Sequence, residues 1–302
     1  GSDREDINKM YSLKMGFGIN GNKIIFGAPG SGKTTCIAIP MIMQCIRREE
    51  SLIVTDPKGE LYGLTSVMAR AHGYTVKVIN FNPRNNGLLH SDSCNYMGVI
   101  KGNDLRADAF AKTIVENTQN GEKMDFWAKS ELNLLTANIL KVENSTAPDK
   151  NLGAVYKDMV SKKTTDLAAE FEVMNWDNPT KGFGMNFNTS DATVQGNTKG
   201  GLATRLSSLN NPIIQKVIGE DDIDLSLPGK QKCIYYVGCD DQDTSLSFYM
   251  ALFFTNLYQE LVSYADSKES GKLDVKVTFL LDEFRNGVLG RMSVERPSDY
   301  NM

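Results

Sequence analysis

Short apolar runs alternate with amphipathic stretches over the first third of the chain. The apolar runs predict strands at KIIFGA (23–28), SLIVTD (51–56) and TVKVINF (75–81). Between them, apolar residues at helical spacing predict helices from about Lys33 to Ile46 and from about Gly59 to Ala71. Strands that alternate with helices in this way are typical of a parallel sheet with crossover helices.

The pattern becomes purely helical from Asp104 onwards. Apolar spacing and polar breaks predict four helices, at 104–118, 125–142, 151–160 and 162–174. A stretch rich in Gly, Asn, Ser and Thr (181–201) predicts a mobile connection that leads to a helix around Leu202–Leu209. We therefore expect an all-α domain, with its flexible return, inserted over residues 104–201.

The sheet pattern returns in the last third of the chain. CIYYVG (233–238) and DVKVTFLLDE (274–283) predict strands, and an amphipathic stretch at about 245–264 predicts a long helix between them. The whole pattern thus predicts an α/β fold with a mainly parallel sheet and an all-α inserted domain. The α/β domain is expected to be discontinuous, with residues 15–103 and 202–290 in the domain and residues 1–14 and 291–302 as tails.

Composition excludes several classes of protein. The longest apolar runs, such as YMALFF (249–254), are much shorter than the roughly 20 residues needed to cross a bilayer. The five cysteines are odd in number and contain no C-x-x-C pair, which argues against a disulfide framework or a thiolate metal cluster. A reducing, cytosolic setting fits best. Because only two histidines are present, a bound metal should be held by oxygen.

Charge is distributed unevenly along the chain. The net charge of −4 and the pI of about 5.4 argue against a broadly basic surface that coats nucleic acid. Residues 104–177 contain nine Lys/Arg and thirteen Asp/Glu, a net charge of −4, so the rest of the chain is balanced. An acidic insert is a poor DNA clamp and favours docking of a basic or mixed protein surface.

The strongest motif is GAPGSGKT, which follows a predicted strand and opens a predicted helix. This is a complete phosphate-binding loop, in which glycines let successive N–H groups converge on phosphate oxygens at a helix N-terminus. Lys33 should reach the β- and γ-phosphates of ATP, the Thr34 hydroxyl should bind Mg2+, and Thr35 should support the α-phosphate. A glycine-rich hairpin with a chance lysine is the alternative, which the strand and helix context disfavours. The predicted nucleotide-binding residues are Gly27, Ala28, Pro29, Gly30, Ser31, Gly32, Lys33, Thr34 and Thr35.

A phosphate-binding loop needs a partner acid, and VTFLLDEF (277–284) supplies two. A buried strand would deliver both carboxylates at its carboxyl end, where α/β proteins bind ligands. Asp282 would hold Mg2+, and Glu283 would orient and activate the water that attacks the γ-phosphate. Glu283 and Lys33 are therefore the predicted catalytic residues, and Thr34 and Asp282 the metal ligands. The alternative, that Asp-Glu only caps a following helix, is disfavoured by the pairing with the loop.

The block TDPKGELY (55–62) ends a second strand on the same edge of the sheet. Asp56 and Pro57 are typical of a helix start, as an N-cap followed by a proline in the first turn. Lys58 and Gly59 are not explained by this role. One hypothesis is that Lys58 faces the nucleotide or DNA, and the other is that both residues only shape the helix start.

Four polar and aromatic residues in or next to the insert have two interpretations. Phe126 and Trp127 are expected on the core face of a helix rather than stacked on bases. Lys199 and Arg205 flank the glycine-rich return and are expected in a solvated loop rather than along the lumen of a ring.

Three of these segments and the helical insert between them resemble the conjugative type IV coupling proteins of the VirD4/TraG group. The segments are GAPGSGKTTCIAIPMI and SLIVTDPKGELYGLTSVMARAHGYTVKVINF before the insert and FLLDEFRN after it. A fourth, shorter segment, HSDSCNYM, lies just before the insert and also resembles the family. The resemblance covers roughly residues 24–286 and is most specific in the TDPKGELY and LLDEF blocks.

The resemblance implies a fold and a function. Such proteins are hexameric ring ATPases with a RecA-like P-loop motor domain and an all-α domain, anchored to the cytoplasmic face of the bacterial plasma membrane by N-terminal helices. They connect the relaxase and its relaxosome to a secretion channel and use ATP and Mg2+ to drive the transfer of single-stranded DNA. By position, Lys33 and Thr34 match the family's nucleotide lysine and magnesium hydroxyl, and Asp282 and Glu283 match its second motif. The membrane helices have no counterpart here, so we expect a soluble fragment.

The chain departs from the family after LLDEF. The family continues with core strands that carry a glutamine sensor and a trans-acting arginine, whereas RNGVLGRMSVERPSDYNM contains no strand-like run. We therefore expect a C-terminally truncated nucleotide-binding domain that binds nucleotide with weak or absent turnover. No arginine of this tail can be matched to the family's arginine finger.

Three functions stay open at this point. The first is an ATP-driven DNA-translocating coupling protein, with the relaxosome, single-stranded DNA, channel components and a homo-hexamer as partners. The second is another P-loop machine, such as an FtsK/HerA-like or packaging translocase. The third is a receptor that docks protein substrates through the insert, with nucleotide controlling assembly.

Overall fold

The computed structural model describes residues 2–3, 6–10, 22–28, 30–82, 84–119, 123–239 and 246–282. The predicted residues Pro29 and Glu283 lie outside these ranges. Among the described residues, no helix combines the length and apolarity that crossing a bilayer requires.

A four-stranded parallel sheet forms the centre of the α/β domain, in the order β4-β5-β3-β6. Leu52 of β3 lies opposite Ile234 of β5, and Thr55 of β3 lies opposite Leu281 of β6. A separate antiparallel pair, β1-β2, lies near the N-terminus. The strands are β1 (Ser2–Asp3), β2 (Asp6–Met10), β3 (Ser51–Thr55), β4 (Thr75–Phe81), β5 (Cys233–Cys239) and β6 (Val277–Leu281).

Helices cover both faces of the sheet and form the insert. A π-helical turn, Thr34–Ala38, leads directly into α1. Short 3-10 turns lie at Arg84–His90, Tyr96–Val99 and Ser207–Asn210. The helices are α1 (Ile39–Arg47), α2 (Glu60–Ala71), α3 (Asp104–Thr118), α4 (Phe126–Glu143), α5 (Leu152–Ser161), α6 (Thr164–Val173), α7 (Pro179–Asn188), α8 (Ala192–Arg205), α9 (Pro212–Val217), α10 (Leu227–Lys230) and α11 (Ser247–Asp266).

Alternate side chains of β3 point into two separate hydrophobic clusters. Leu52 and Val54 pack with α1 and α2 on one face, and Ile53 packs on the other face in a cluster that includes α11 and the insert helices. Because both faces of β3 are covered, all five of its residues are buried. The cluster on the second face runs without a break into α3 and α4, so the insert and the sheet share one core.

The expected strand at 23–28 is wrong. Residues 22–28 have no regular secondary structure, and the side chains of Ile24 and Phe26 are 82% and 91% exposed. Apolar and β-branched residues favour a strand only where a neighbouring strand pairs with them. The described residues provide no such neighbour, since the sheet ends at β6.

The expected mobile connection at 181–201 is also wrong, because most of it is helical. Asn178 accepts a hydrogen bond from the Thr180 N–H and caps α7, which has a proline in its first turn. Asp191 accepts hydrogen bonds from the next turn and caps α8. Asn178 and Asp191 are residue types that favour helix starts, but the glycines and polar residues that follow them favoured the prediction of a loop.

Two of the five glycines in this stretch lie at close helix contacts, whereas a Cβ atom on Gly182, Gly196 or Gly200 would meet no atom within 4 Å. A Cβ atom on Gly184 of α7 would lie 2.4 Å from the Phe171 ring, and one on Gly201 of α8 would lie 2.2 Å from Glu131 Oε1. Real Cβ atoms do not approach other atoms this closely, so each position excludes a larger side chain. Gly184 and Gly201 therefore allow α7 to pack against α6 and α8 to pack against α4.

Two expectations about side chains of the insert are wrong as well. Phe126 and Trp127 form an edge-to-face pair at the start of α4, but they are 60% and 42% exposed and not part of the core. Lys199 and Arg205 lie in α8 rather than in a solvated loop. Lys199 donates a hydrogen bond to the Lys162 carbonyl oxygen, and Arg205 is largely buried.

The amino end of β3 is held by an ionic cluster around the buried Glu50. Arg48 donates two hydrogen bonds to the Glu50 carboxylate, at 2.9 and 3.0 Å, and Lys276 and Thr278 at β6 donate one each. Burial of this carboxylate opposes ionisation, but the hydrogen bonds from Arg48 and Lys276 outweigh it and lower the pKa of Glu50 to about 2. The cluster ties the end of α1 to the starts of β3 and β6.

We predict that Glu50 makes stability fall at acidic pH. Its pKa is about 2 in the folded chain against an ordinary 4.5, so its contribution is complete above pH 4.5 and is lost as the pH falls toward 2. Because Arg48 and Lys276 are half-exposed or more, solvent screening reduces the contribution to about 1–2 kcal/mol. Urea unfolding of Glu50→Gln should therefore show a lower free energy at pH 7 and a flatter dependence between pH 5 and pH 3.

The matched control is Glu49→Gln. Glu49 is adjacent in sequence and pairs with Lys232, but it is exposed, so its removal should leave the pH profile close to wild type. An unchanged profile for Glu50→Gln would show that the cluster does not stabilise the sheet.

A buried ion pair joins three helices of the insert. Arg205 of α8 donates hydrogen bonds from Nε and Nη2 to Glu131 Oε2 of α4, at 2.8 and 2.5 Å. Its Nη1 donates to Thr118 Oγ1 of α3 at 2.8 Å. Glu131 and Arg205 expose only 8% and 14% of their side chains, so each relies on the other for charge compensation.

Arg205→Met should destabilise the chain by about 3 kcal/mol, because it leaves the Glu131 carboxylate buried without a countercharge. The measurement is the free energy of unfolding in urea. Lys112→Met is the control, since Lys112 forms an exposed pair with Glu116 on α3 and should cost at most about 0.5 kcal/mol. Equal effects of the two substitutions would contradict the role given to the buried pair.

Candidate nucleotide-binding site

The glycine-rich loop has the backbone of a tight turn. Gly30 and Gly32 have φ of 76° and 81°, in the left-handed region that side chains disfavour. The Ser31 N–H donates to the Ala28 carbonyl oxygen at 3.1 Å. A Cβ atom on Gly27 would lie 2.6 Å from Ser31 Oγ, so the loop closes tightly over this position. These glycines are therefore required by geometry, as the motif predicts.

Lys33 lies at the junction of the loop and its helix. Its Nζ is exposed and donates hydrogen bonds to the carbonyl oxygens of Gly27 at 2.6 Å and Ala28 at 3.0 Å. The ammonium group is thus folded over the loop itself. Thr34 begins the helix, and the Thr35 hydroxyl donates to the Gly32 carbonyl oxygen at 3.2 Å.

The position of α1 determines which edge of the sheet the loop approaches. Only residues 48–50 separate α1 from β3, and Ile42 and Ile46 of α1 share a buried cluster with Leu52 and Val54 of β3. With so short a connection, the helix must run back along the strand, antiparallel to it. The start of the helix, with Lys33 and Thr34, therefore lies toward the carboxyl edge of the sheet.

Asp282 lies at the same edge, directly after β6. The Thr55 hydroxyl at the end of β3 donates a hydrogen bond to the Asp282 carbonyl oxygen at 2.7 Å. Since β3 and β6 are parallel neighbours, their carboxyl ends lie next to each other. Asp282 therefore lies beside the TDPKG turn that follows β3. The pattern of the sequence placed the acid at a strand end but gave no indication of this contact with Thr55.

The TDPKGELY block forms a rigid turn at this edge. Asp56 is buried, and its Oδ2 accepts a hydrogen bond from the Tyr62 N–H at 2.8 Å, at the start of α2. Burial raises the pKa of Asp56, although the backbone N–H groups that bond to it act in the opposite direction. Gly59 has φ of 73°, which explains the glycine, and Lys58 is exposed in the turn. The proposed contact of Lys58 with nucleotide or DNA stays a prediction.

Asn80 and Asn82 also shape this edge, and no motif of the sequence points to them. Asn82, just after β4, donates from Nδ2 to the Pro57 carbonyl oxygen at 3.4 Å. A Cβ atom on Gly238 of β5 would lie 3.1 Å from Asn80 Oδ1 and 3.3 Å from the Asp56 carbonyl oxygen. The ends of β3, β4 and β5 are therefore packed closely, with asparagine side chains and backbone carbonyl groups between them.

The described residues contain no group of three or more His, Cys, Asp or Glu side chains that could hold a metal ion by themselves. A magnesium ion at this edge would thus depend on one hydroxyl, one carboxylate and oxygens of the nucleotide. That donor set is typical of Mg2+ bound together with a nucleotide, rather than of an all-protein cage.

Comparisons with known proteins identify relatives of this fold. The model of the family described as Type IV secretory system conjugative DNA transfer matches residues 4–295. A search of curated proteins found no match. The chain is similar to the trigonal form of the bacterial conjugative coupling protein TrwBdeltaN70 in complex with sulphate, at 12% identity and a TM-score of 0.54, covering 87% of this chain and 57% of that one. It is also similar to the plasmid coupling protein TrwB in complex with ADP and Mg2+, at 14% identity and a TM-score of 0.48, covering 84% and 61%.

This chain therefore spans about three fifths of the solved structures that it matches, 57% and 61% of their lengths. The first of these likenesses confirms the expected fold class, a RecA-like P-loop α/β domain with an all-α insert. The exact domain boundaries stay a prediction. Because the family match extends over nearly the whole sequence, the chain belongs to the conjugative DNA transfer family of type IV secretion systems.

Proposed function

We propose that this chain is the nucleotide-binding region of a conjugative coupling protein, which uses ATP to energise the transfer of single-stranded DNA. The observation that carries the proposal is the glycine-rich loop ending in Lys33, at the start of a helix that packs along β3. This helix brings the loop toward the edge of the sheet where Asp282 lies. Family membership favours conjugation over chromosome or packaging translocation.

The residues of the loop supply the contacts for the phosphates. Gly27, Gly30 and Gly32 allow backbone N–H groups to converge, and Lys33 exchanges its bonds to the loop carbonyls for bonds to the β- and γ-phosphates. Thr35 and the N–H groups at the helix start support the α-phosphate. The tight cradle at Gly27, which a Cβ atom would fill, fits this role.

Thr34 and Asp282 are proposed to hold Mg2+, and Glu283 to orient the attacking water. When bound, Mg2+ supplies positive charge to the β- and γ-phosphate oxygens. The residues of the chain keep the carboxylate and the hydroxyl on the same edge of the sheet.

Lys33→Ala should weaken ATP binding by roughly ten- to a hundredfold, because it removes a charge-assisted contact with the terminal phosphates. The measurement is a titration of the 302-residue chain with a fluorescent ATP analogue in the presence of Mg2+. Lys23→Ala is the matched control, since Lys23 is an exposed lysine shortly before the loop and should leave the affinity unchanged. Wild-type affinity for Lys33→Ala would remove the basis of the proposal.

The partners are proposed to be the relaxase with its relaxosome, single-stranded DNA and components of the secretion channel. In the full-length protein we propose a homo-hexamer at the cytoplasmic face of the plasma membrane. The insert is proposed to dock the relaxosome. Its acidic charge and the exposed pair Phe126 and Trp127 support protein docking, because exposed large aromatic residues are enriched at protein interfaces.

The double variant Phe126→Ser/Trp127→Ser should weaken binding of the cognate relaxase by about tenfold or more if these side chains anchor it. Binding can be measured by biolayer interferometry with purified relaxase. Tyr258→Ser is the control, because Tyr258 is a similarly exposed aromatic residue on α11, outside the insert. Equal binding by the double variant and the wild type would exclude this docking site without affecting the nucleotide proposal.

A further inference from the structure

We propose that Thr55 is a positioning residue for Asp282, and that its hydroxyl holds the backbone from which the magnesium-binding carboxylate extends. The inference rests on the proposed function, since it takes Asp282 as a magnesium ligand. Thr55 is the first residue of the TDPKGELY block. The contact that carries the inference is the 2.7 Å hydrogen bond from Thr55 Oγ1 to the Asp282 carbonyl oxygen.

The hydrogen-bond ladder of the sheet explains why a side chain is needed here. The Ser51 N–H donates to the Lys276 carbonyl oxygen of the neighbouring chain segment, at 2.9 Å. In a parallel pair, donors toward one neighbour recur at every second residue. The series that begins at Ser51 therefore continues through residues 53 and 55, and its acceptors advance from residue 276 through 278 and 280.

The next acceptor in this series is the carbonyl oxygen of Asp282, and the next donor would be the backbone N–H of residue 57. That residue is Pro57, which has no N–H. Asp56 cannot replace it, because the Asp56 N–H faces the other neighbour and donates to the Val237 carbonyl oxygen at 2.9 Å. The Thr55 hydroxyl thus supplies the donor that the proline removes.

Packing alone does not require a hydroxyl at this position. Thr55 is fully buried at the end of an apolar strand, where valine would have nearly the same shape and a similar preference for strands. Burying a hydroxyl costs free energy unless it is hydrogen-bonded, so the bond to Asp282 accounts for the threonine. Through this bond, the end of β6 is fixed to the end of β3.

The bond from Thr55 also constrains the orientation of the Asp282 carboxylate. A bond to its carbonyl oxygen fixes the peptide plane after Asp282 and restricts the directions in which the side chain can leave the backbone. Metal ligands bind best when neighbouring groups hold them in the productive geometry before the metal arrives. Loss of the Thr55 hydroxyl should therefore weaken the magnesium-dependent part of nucleotide binding and leave the remainder intact.

The test compares Thr55→Val and Thr55→Ser in the 302-residue chain. The affinity for a fluorescent ATP analogue is measured with Mg2+ and with EDTA, and the ratio of the two affinities is the readout. Thr55→Val should reduce this ratio by about fivefold, as expected for the loss of one hydrogen bond, and should change the affinity in EDTA by less than about twofold. Thr55→Ser keeps the hydroxyl and should restore the wild-type ratio.

Two further variants separate positioning from general stability. Thr65→Val removes another buried hydroxyl of the same domain, which bonds to the Leu61 carbonyl oxygen and to the Tyr236 hydroxyl. It should lower the free energy of unfolding without changing the magnesium ratio. Thr55→Ala is measured in parallel with Thr55→Val, so that whichever variant is folded by circular dichroism decides the result.

Asp282→Asn distinguishes the inference from the proposed function. If Asp282→Asn loses the magnesium dependence and the folded Thr55 variants keep it, the positioning role is wrong and the metal site stands. If Asp282→Asn keeps the wild-type ratio, Asp282 is not a magnesium ligand, and both its proposed metal role and the positioning role of Thr55 fall, whereas the proposal of nucleotide binding is decided by Lys33→Ala. A reduced ratio for Thr55→Ser equal to that of Thr55→Val would likewise overturn the role of the hydroxyl.

Discussion

The complete burial of β3 between two helical layers is the constraint on which the rest of the structure depends. β3 is the strand that pairs with both β5 and β6, and its alternate side chains enter both hydrophobic clusters. A strand in this position has no polar surface of its own, so polar groups can gather only at its ends. At the amino end, the Glu50 cluster joins α1 and β6, and at the carboxyl end Thr55 and Asp56 join β6 and α2. The candidate site is thus built where the apolar strand stops, by the residues that terminate it.

The insert is coupled to this strand through apolar contact. The cluster that contains Ile53 continues into α3 and α4, and the Glu131–Arg205 pair holds α4 to α8 within the insert. A partner that shifted α4 would therefore act on side chains that share a core with the sheet. The shared core would give a physical route between docking proposed at Phe126 and Trp127 and the candidate nucleotide site, since packed cores transmit small displacements.

Much of this architecture follows from the sequence, because its signals are local. β4 was predicted at its observed bounds, and α3 likewise, since alternation and N-capping are properties of a few neighbouring residues. The wrong predictions arise where the structure around a residue depends on a contact with a residue far away in the sequence. Gly184 and Gly201 lie in helices because Phe171 and Glu131 occupy the space of their side chains, and no local pattern reveals this. The Thr55 bond joins residues 227 positions apart, so the sequence alone could place the two strand ends on one edge but not connect them.

The position of β3 also explains how the glycine-rich loop can keep its turn although the segment before it is not a strand. Ile24 and Phe26 are exposed, and the outer edge of β6 is unpaired among the described residues, so strand pairing contributes nothing to the loop from its amino-terminal side. Burying the side chain of Ile24 or Phe26 would stabilise the fold by about 1.5–3 kcal/mol, but both are exposed, so the loop gains little of this stabilisation. The loop is instead held from its helix end, because Ile42 and Ile46 anchor α1 to β3 and the positive φ of Gly30 and Gly32 sets the turn. The geometry that would bind phosphate thus derives from β3 as well, through the helix rather than through a strand.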